Sequence, residues 1–256
     1  MSQPATSSHI ESMQLSGPTK QPVCDELQVI AELLPLDGAR LLELGCGAAE
    51  KTRQIVEHSD VLEIVAAEVD QIQHRTNLQR YDLPKVSFKS YGAEAIDEPD
   101  NSFDCVLMFK SLHHVPVPMM DTALAEIARV LKPGGLAYIS EPVFAGEFNE
   151  IIRLFHDESL VRREAFEAMQ RAVAGGVLEL ADERFFENRI RLQSFSQFEQ
   201  GILNVTHTEH NVTPELLDLV RSKFESYRGP DGYVFEIPNR VDLLRRTGSS
   251  KRGRES

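Results

Sequence analysis

The sequence predicts an α/β fold in which a mostly parallel sheet carries helices on both faces. Between residues 40 and 140, short apolar runs alternate with longer amphipathic segments, a pattern typical of repeated strand–helix units. A turn with two closely spaced glycines, Gly45 and Gly47, follows the first apolar run. Sheets of this class bind ligands at the carboxyl ends of their strands, so functional residues are expected directly after each strand.

The individual elements follow from apolar spacing and from glycine and proline positions. Apolar residues between Val23 and Leu34 recur at helical intervals, and Pro35 and Gly38 end that first helix. Five buried strands are predicted at residues 40–44, 63–69, 85–90, 103–108 and 136–140. Helices are predicted between them at residues 49–58, 71–80 and 120–131.

The pattern changes after residue 142. A helical region rich in Phe, Arg and Glu is predicted from about residue 146 to 174. Residues 143–210 are therefore interpreted as a helical insertion or lid over the substrate site. A helix near residues 216–227 is followed by two short closing strands, predicted at residues 232–237 and 240–244.

These segments divide the chain into a core and its attachments. Residues 23–142 form the predicted ligand-binding core, and residues 211–246 return to it. Residues 1–22 are rich in Ser, Pro, Gln and Thr and are predicted to be a disordered leader. Residues 247–256 are predicted to be a flexible basic tail.

Composition narrows the class of partner. The net charge of −13 disfavours binding to nucleic acid or to an anionic membrane, since both attract clustered Lys and Arg. No apolar run approaches the roughly 18 residues that span a bilayer, and no secretion signal is visible, so no membrane insertion is expected. Cys24, Cys46 and Cys105 form neither a CxxC pair nor an even disulfide framework, which favours a cytoplasmic location.

The glycine turn lies in the segment LLELGCGAAE, which ends at Glu50. Glu43 closes a buried strand, and Gly45 and Gly47 allow a sharp turn that a ligand can approach without meeting a Cβ. A dinucleotide-binding GxGxxG turn would need a small residue at position 50, so Glu50 disfavours that class of cofactor.

An acidic residue follows the second strand in the segment EIVAAEVD. Glu68 falls about 20 residues after the glycines, where a carboxylate can accept both hydroxyls of a ribose. Asp70 is the alternative, but it is better interpreted as the cap of the next helix.

Five segments in this order resemble the class I methyltransferases of the ubiquinone and menaquinone biosynthesis type. They are LLELGCG, IVAAEVD, YGAEAIDEPDNSFDCVLMFKSLHHV, LAEIARVLKPGG and LAYISEP, and they cover roughly residues 37–142. The resemblance implies a Rossmann-like fold with a mostly parallel seven-stranded sheet and a helical insertion after the fifth strand. It also implies S-adenosyl-L-methionine as cofactor and S-adenosyl-L-homocysteine as product.

The resemblance implies roles for the turn and for the second strand. Glu43 and the backbone of Gly45, Cys46 and Gly47 would hold the methionine part of the cofactor. Glu68 would hold its ribose.

The adenine site departs from the family pattern. The family places an Asp after the third strand, whereas this chain has Tyr91, Gly92, Ala93 and Glu94 there. Adenine is therefore expected to contact the backbone near Gly92 and Ala93, with Glu94 or a water completing the contact. Ala49 stands where many relatives carry a third glycine and is interpreted as a tolerated variation.

Lys110 to His114 follow the fourth strand and are expected beside the transferable methyl group. Lys110 is a candidate cofactor contact. His113 or His114 is a candidate general base, because an imidazole with a pKa of about 6.5 can accept a proton at neutral pH. Alternatively, one histidine packs under the loop and the other contacts cofactor or substrate. No metal site is expected, since His207 and His210 lack an identifiable third ligand.

The expected reaction is methyl transfer to the O, N or C atom of a small organic acceptor. Two alternatives stay open. One is a methyltransferase acting on tRNA or protein, for which Arg153, Arg162 and Arg163 offer a local basic patch. The other is a cofactor-binding regulatory protein without transfer activity, suggested by the absent Asp and by Ala49. The oligomeric state cannot be read from the sequence.

Overall fold

A computed structural model describes residues 13–203 and 212–248 of the chain. Most of the predicted leader, the pair His207 and His210, and most of the predicted basic tail lie outside these ranges. In the described part, seven strands form one sheet: β1 (Arg40–Leu44), β2 (Glu63–Ala67), β3 (Val86–Lys89), β4 (Phe103–Phe109), β5 (Leu131–Pro142), β6 (Leu178–Leu192) and β7 (Tyr233–Arg246).

The strands lie in the order β3-β2-β1-β4-β5-β7-β6. Strands β1 to β5 pair in parallel, and β7 runs antiparallel to both of its neighbours, β5 and β6. This arrangement confirms the predicted mostly parallel seven-stranded sheet. It also places the carboxyl ends of β1, β2 and β4 side by side at one edge.

The helices are α1 (Glu26–Leu33), α2 (Glu50–His58), α3 (Gln71–Asn77), α4 (Met120–Val130), α5 (Glu147–Ile152), α6 (Ser159–Ala174), α7 (Phe195–Phe198) and α8 (Pro214–Glu225). Two 3-10 turns, Leu112–His114 and Val117–Met119, and a π-helical turn, Glu199–Leu203, complete the elements. Side-chain caps start several helices. Asp70, for example, accepts the backbone N–H groups of Ile72 and Gln73, which confirms its interpretation as a cap.

Two apolar layers cover the sheet, one on each face. Leu42 on β1 belongs to the layer formed with α4 and α6, whereas its neighbour Leu41 belongs to the layer formed with α1 and α2. Successive strand residues point to opposite faces, so the continuous apolar runs serve both layers. No helix in the described ranges is long and apolar enough to cross a membrane.

The structure differs from the predicted elements after residue 142. Strand β6 lies inside residues 143–210, which were interpreted as a helical insertion or lid, and it pairs with β7 at the edge of the sheet. The two predicted closing strands are one strand, β7, that continues through Pro238. Pro238 is accommodated because β5 ends opposite Asn239, so β7 has only one strand partner there. The division into core and lid stays a prediction.

Candidate functional site

The glycine turn links the end of β1 to the start of α2. Gly45 and Gly47 have φ angles of +76° and +51°, in the left-handed region that favours glycine. A Cβ on Gly45 would lie 2.8 Å from the Cβ of Ser111, so this position has no room for a side chain. A Cβ on Gly47 would meet nothing within 4 Å. Gly47 therefore borders open space at the carboxyl end of the sheet.

Glu68 ties this turn to the end of β2. One oxygen of its carboxylate accepts the backbone N–H of Gly47 at 2.8 Å, and the other accepts that of Asp70 at 2.9 Å. Each oxygen keeps a second lone pair, so the carboxylate can still accept hydroxyl groups from a ligand. The structure thus brings Glu68 to the glycine turn, whereas the Asp70 side chain serves its helix.

Glu43 is buried beneath the same turn, with only 2% of its surface exposed. The Thr52 hydroxyl donates a hydrogen bond of 2.6 Å to its carboxyl group. Burial raises the pKa of Glu43 to about 7, although the Thr52 hydrogen bond and the charge of Lys51 oppose that rise. A cation bound next to Glu43 would favour the ionised carboxylate.

Cys46 contributes its backbone to the turn, while its side chain packs in the interior. The Asn77 amide donates to the Gly47 carbonyl at 2.7 Å and to the Cys46 sulfur at 3.6 Å. Burial raises the pKa of the Cys46 thiol, so it stays protonated. Asn77 was not identified from the sequence as a residue that supports the turn. Its position next to the apolar Leu78 was only a weak indication of that role.

Ala49 lies at the end of the turn in the left-handed region, with φ +58° and ψ +31°, and it is fully buried. The position is thus one that glycine would occupy with less strain. The methyl group fits at this position, as expected. The sequence did not reveal that residue 49 adopts left-handed backbone angles, which strain alanine more than glycine.

The predicted adenine residues follow β3. The Glu94 carboxylate lies so close to Gly92 that a Cβ there would clash with it. Ala93 packs its methyl group into the apolar core. Their role in binding adenine stays a prediction.

Lys110 follows β4 and has a φ of +54°. Its backbone N–H donates to the Ser140 carbonyl at 2.7 Å. The side chain reaches solvent, yet surrounding protein atoms desolvate its ammonium group and lower its pKa.

His113 is buried between two carboxylates. Its Nδ1 pairs with Glu141, and its Nε2 lies 3.5 Å from the carboxylate of Glu158. Burial favours the neutral ring, but the charges and hydrogen bonds of both carboxylates raise the pKa of His113 to about 9. With both nitrogens engaged, His113 matches the alternative in which one histidine packs under the loop. The ring of the exposed His114 lies next to it at a tilt of 40°, with ring centroids 4.2 Å apart.

Glu158 is the centre of a larger cluster. His156 Nε2 lies 2.9 Å from one of its oxygens, and Arg162 lies 2.5 Å from the other. His113, His114 and Glu158 present possible metal-ligand atoms that all lie within 4.8 Å of one another. Sequence reasoning missed Glu141, His156 and Glu158, because these residues meet only in the folded chain.

A cavity of about 170 Å³ opens next to Glu141. Phe144, Arg162, Arg163 and Arg240 also line it. Arg162 is paired with Glu158, and Arg240 is paired with Asp242 at 2.6 Å. Arg153 is paired with Glu150 at 3.2 Å, so two of the three arginines that the tRNA alternative invoked are ion-paired, which weakens that basic patch.

Comparisons with known proteins agree with this geometry. Residues 41–135 match the family model described as a methyltransferase domain. An uncharacterized methyltransferase of Mycobacterium tuberculosis is 38% identical over 108 residues, which is 42% of each chain. A ubiquinone biosynthesis O-methyltransferase of Sinorhizobium medicae is 32% identical over 162 residues, covering 58% of this chain and 63% of the other. The matches cover less than half the length of the first curated relatives.

Solved structures extend the likeness to most of the chain. The YcgJ protein of Bacillus subtilis superposes with a TM-score of 0.60 at 17% identity, covering 87% of this chain and 98% of the other. This likeness shows the fold, which is a Rossmann-like α/β sheet. The chain thus combines this fold with a segment, residues 41–135, that matches a methyltransferase domain.

Proposed function

We propose that this protein transfers the methyl group of S-adenosyl-L-methionine to an O, N or C atom of a small organic acceptor. The observation that carries the proposal is the glycine turn, in which Gly47 borders open space and is bound by Glu68. The turn lies within the residues that match the methyltransferase domain.

The residues at the turn fit this cofactor. Glu68 has both oxygens oriented by backbone N–H groups, which suits two adjacent ribose hydroxyls. Glu43, together with the backbone of Gly45, Cys46 and Gly47, would hold the methionine part, since a buried carboxyl with a raised pKa gains from a neighbouring ammonium group. When bound, the cofactor supplies the methyl group from its sulfonium centre.

The adenine would lie near the carboxyl end of β3. The backbone of Gly92 and Ala93 is the proposed contact there, with Glu94 at its side. Lys110 is proposed to contact the cofactor from the end of β4.

The acceptor would enter from the side of the cavity at Glu141 and Phe144. A small organic acceptor agrees with the Sinorhizobium medicae relative, which is named an O-methyltransferase of ubiquinone biosynthesis. The chain's main task is then to align acceptor and methyl group and to exclude water. We propose that His113 positions its loop and that His114 faces the acceptor. A cytoplasmic location belongs to the same proposal, because all three cysteines are free.

Calorimetry with S-adenosyl-L-methionine and S-adenosyl-L-homocysteine tests cofactor binding. Glu68→Ala should weaken binding by about 1–3 kcal/mol, because it removes a charged hydrogen-bond acceptor. Asp70→Asn is the matched control, since it keeps the helix cap and should leave affinity unchanged. No binding of either ligand at millimolar concentration would overturn the proposal.

A mass-spectrometric screen then tests transfer. Quinone precursors, phenols, amines and heterocycles are incubated with the enzyme and cofactor, and a mass gain of one methyl group in place of hydrogen identifies the acceptor. Cofactor binding with methylation of tRNA or protein instead would favour the macromolecular methyltransferase. Cofactor binding with no product from any class would favour the regulatory protein without transfer activity.

A further inference from the structure

Three histidines converge on one carboxylate beside the glycine turn. One oxygen of Glu158 lies 2.9 Å from His156 Nε2 and 3.5 Å from His113 Nε2. His114 presents a ring nitrogen within the same 4.8 Å cluster. The cluster follows Ser111, whose side chain packs against Gly45, so it lies near the proposed cofactor site.

The separations suit a metal ion. Zinc binds imidazole nitrogen and carboxylate oxygen at about 2.0–2.2 Å. At ligand–metal–ligand angles between octahedral and tetrahedral values, neighbouring ligand atoms are then about 3 to 3.5 Å apart. The 3.5 Å between His113 Nε2 and the Glu158 oxygen falls at the upper end of this interval, and His114 offers a ring nitrogen within 4.8 Å of both. A cation could therefore be bound with small side-chain movements.

Two of these ligands, His113 and Glu158, are also oriented by contacts with neighbouring residues. Glu141 accepts a hydrogen bond from Nδ1 of His113, an arrangement that leaves Nε2 as the coordinating atom. Arg162 binds the second oxygen of Glu158 at 2.5 Å, so the first oxygen is the one that faces the histidines. A carboxylate behind a metal-binding histidine orients the ring and raises its basicity.

We propose that His113, His114 and Glu158 bind a divalent transition-metal cation. Two imidazoles and one carboxylate suit zinc. This departs from the expectation of no metal, which was based on spacing alone. The cation keeps an open coordination position for an acceptor hydroxyl, whose pKa it would lower, and this last role rests on the proposed function.

The test is metal binding by the full-length protein after dialysis against a chelator. Titration with Zn²⁺ by calorimetry should give one equivalent, and titration with Co²⁺ should give the visible absorption of a histidine-bound ion. Glu158→Gln and His114→Ala should each weaken binding at least tenfold. Glu141→Gln should weaken it by about 10- to 100-fold, because it acts through His113.

Two controls locate the site. His58→Gln changes an exposed histidine on α2 and should bind as the wild type does. The double variant His207→Gln/His210→Gln removes the other histidine pair and should also retain the site. Circular dichroism and thermal melts verify that each variant is folded. Because His114 is exposed, His114→Ala is the ligand variant least expected to disturb folding.

The proposal is overturned if the wild type binds no zinc, if Glu158→Gln and His114→Ala bind as tightly as the wild type, or if the double variant abolishes binding. Binding of S-adenosyl-L-methionine to zinc-free protein is measured separately. Failure of the metal proposal with intact cofactor binding would leave the proposed methyl transfer in place.

Discussion

Replacing Glu43 with Gln should stabilise the protein at high pH and weaken its hold on the cofactor. The folded structure raises the pKa of this carboxyl from 4.5 to about 7, chiefly by burying it. One pKa unit corresponds to about 1.4 kcal/mol, so ionising Glu43 costs the folded state up to about 3 kcal/mol.

The sign follows from proton binding. Between pH 4.5 and 7 the folded protein holds this proton more tightly than the unfolded chain does, so stability falls as the pH rises through this window. The cost is absent below about pH 4.5 and complete above about pH 7. Gln has the same size as Glu, carries no charge and can still accept the hydrogen bond from Thr52.

Urea denaturation at pH 5 and pH 8 measures the effect. Glu43→Gln should raise the free energy of unfolding at pH 8 by about 1–3 kcal/mol and change it much less at pH 5. Glu57→Gln alters an exposed acid on the neighbouring helix α2 and should change little at either pH. An equal change at both pH values, or a loss of stability at pH 8, would refute the reasoning.

Cofactor binding gives a second measurement on the same variant. If the cofactor's ammonium group binds next to Glu43, its charge lowers the pKa of the carboxyl, and binding releases a proton below about pH 7. Calorimetry in buffers of different ionisation enthalpy counts that proton. Glu43→Gln should abolish the release and reduce affinity, so it would be more stable and yet bind less tightly. Proton release that persists in the variant would assign it to another group.

Three further substitutions test the supporting geometry. Gly45→Ala should destabilise the protein by about 1–3 kcal/mol in urea melts, because a new Cβ at a positive φ meets Ser111. Asn77→Ala should lower the free energy of unfolding by about 1–3 kcal/mol and also weaken cofactor binding, because the Gly47 carbonyl loses its hydrogen-bond donor. Unaltered affinity would show that this contact from α3 does not support the cofactor site. Arg240→Met should cost about 3–5 kcal/mol by leaving the buried Asp242 unpaired, and adding Asp242→Leu should recover most of the loss.

Four of the first five strands, β1, β2, β4 and β5, were predictable because most of their residues are buried and form apolar runs. The position of Glu68 next to the glycine turn could be anticipated from its place at the end of such a run. Strand β6 could not be predicted from the sequence, because it is an edge strand that mixes charged and apolar residues. Its Arg189 pairs with Glu236 only once β7 lies next to β6 in the folded chain. A sequence of that composition is equally compatible with a surface helix.

The histidine cluster was unpredictable for a different reason. His113 was recognised as chemically interesting, but its partners lie 28 and 45 residues away, on the end of β5 and at the start of α6. No spacing rule connects them. The sequence suggested either a base or a histidine packed under the loop. It did not reveal that the ring lies between two carboxylates, which follows because the parallel sheet brings the ends of β4 and β5 together.

The carboxylate of Glu68 binds the Gly47 N–H and so joins the glycine turn to β2, and under the proposed function the same pair of oxygens would also bind the ribose. An attempt to redesign the enzyme for a cofactor with an altered ribose would therefore disturb the turn as well. A successful redesign needs a separate acceptor for the Gly47 N–H before the sugar contact can be changed. In this protein, a change of cofactor preference at Glu68 would thus require a matching change in the glycine turn.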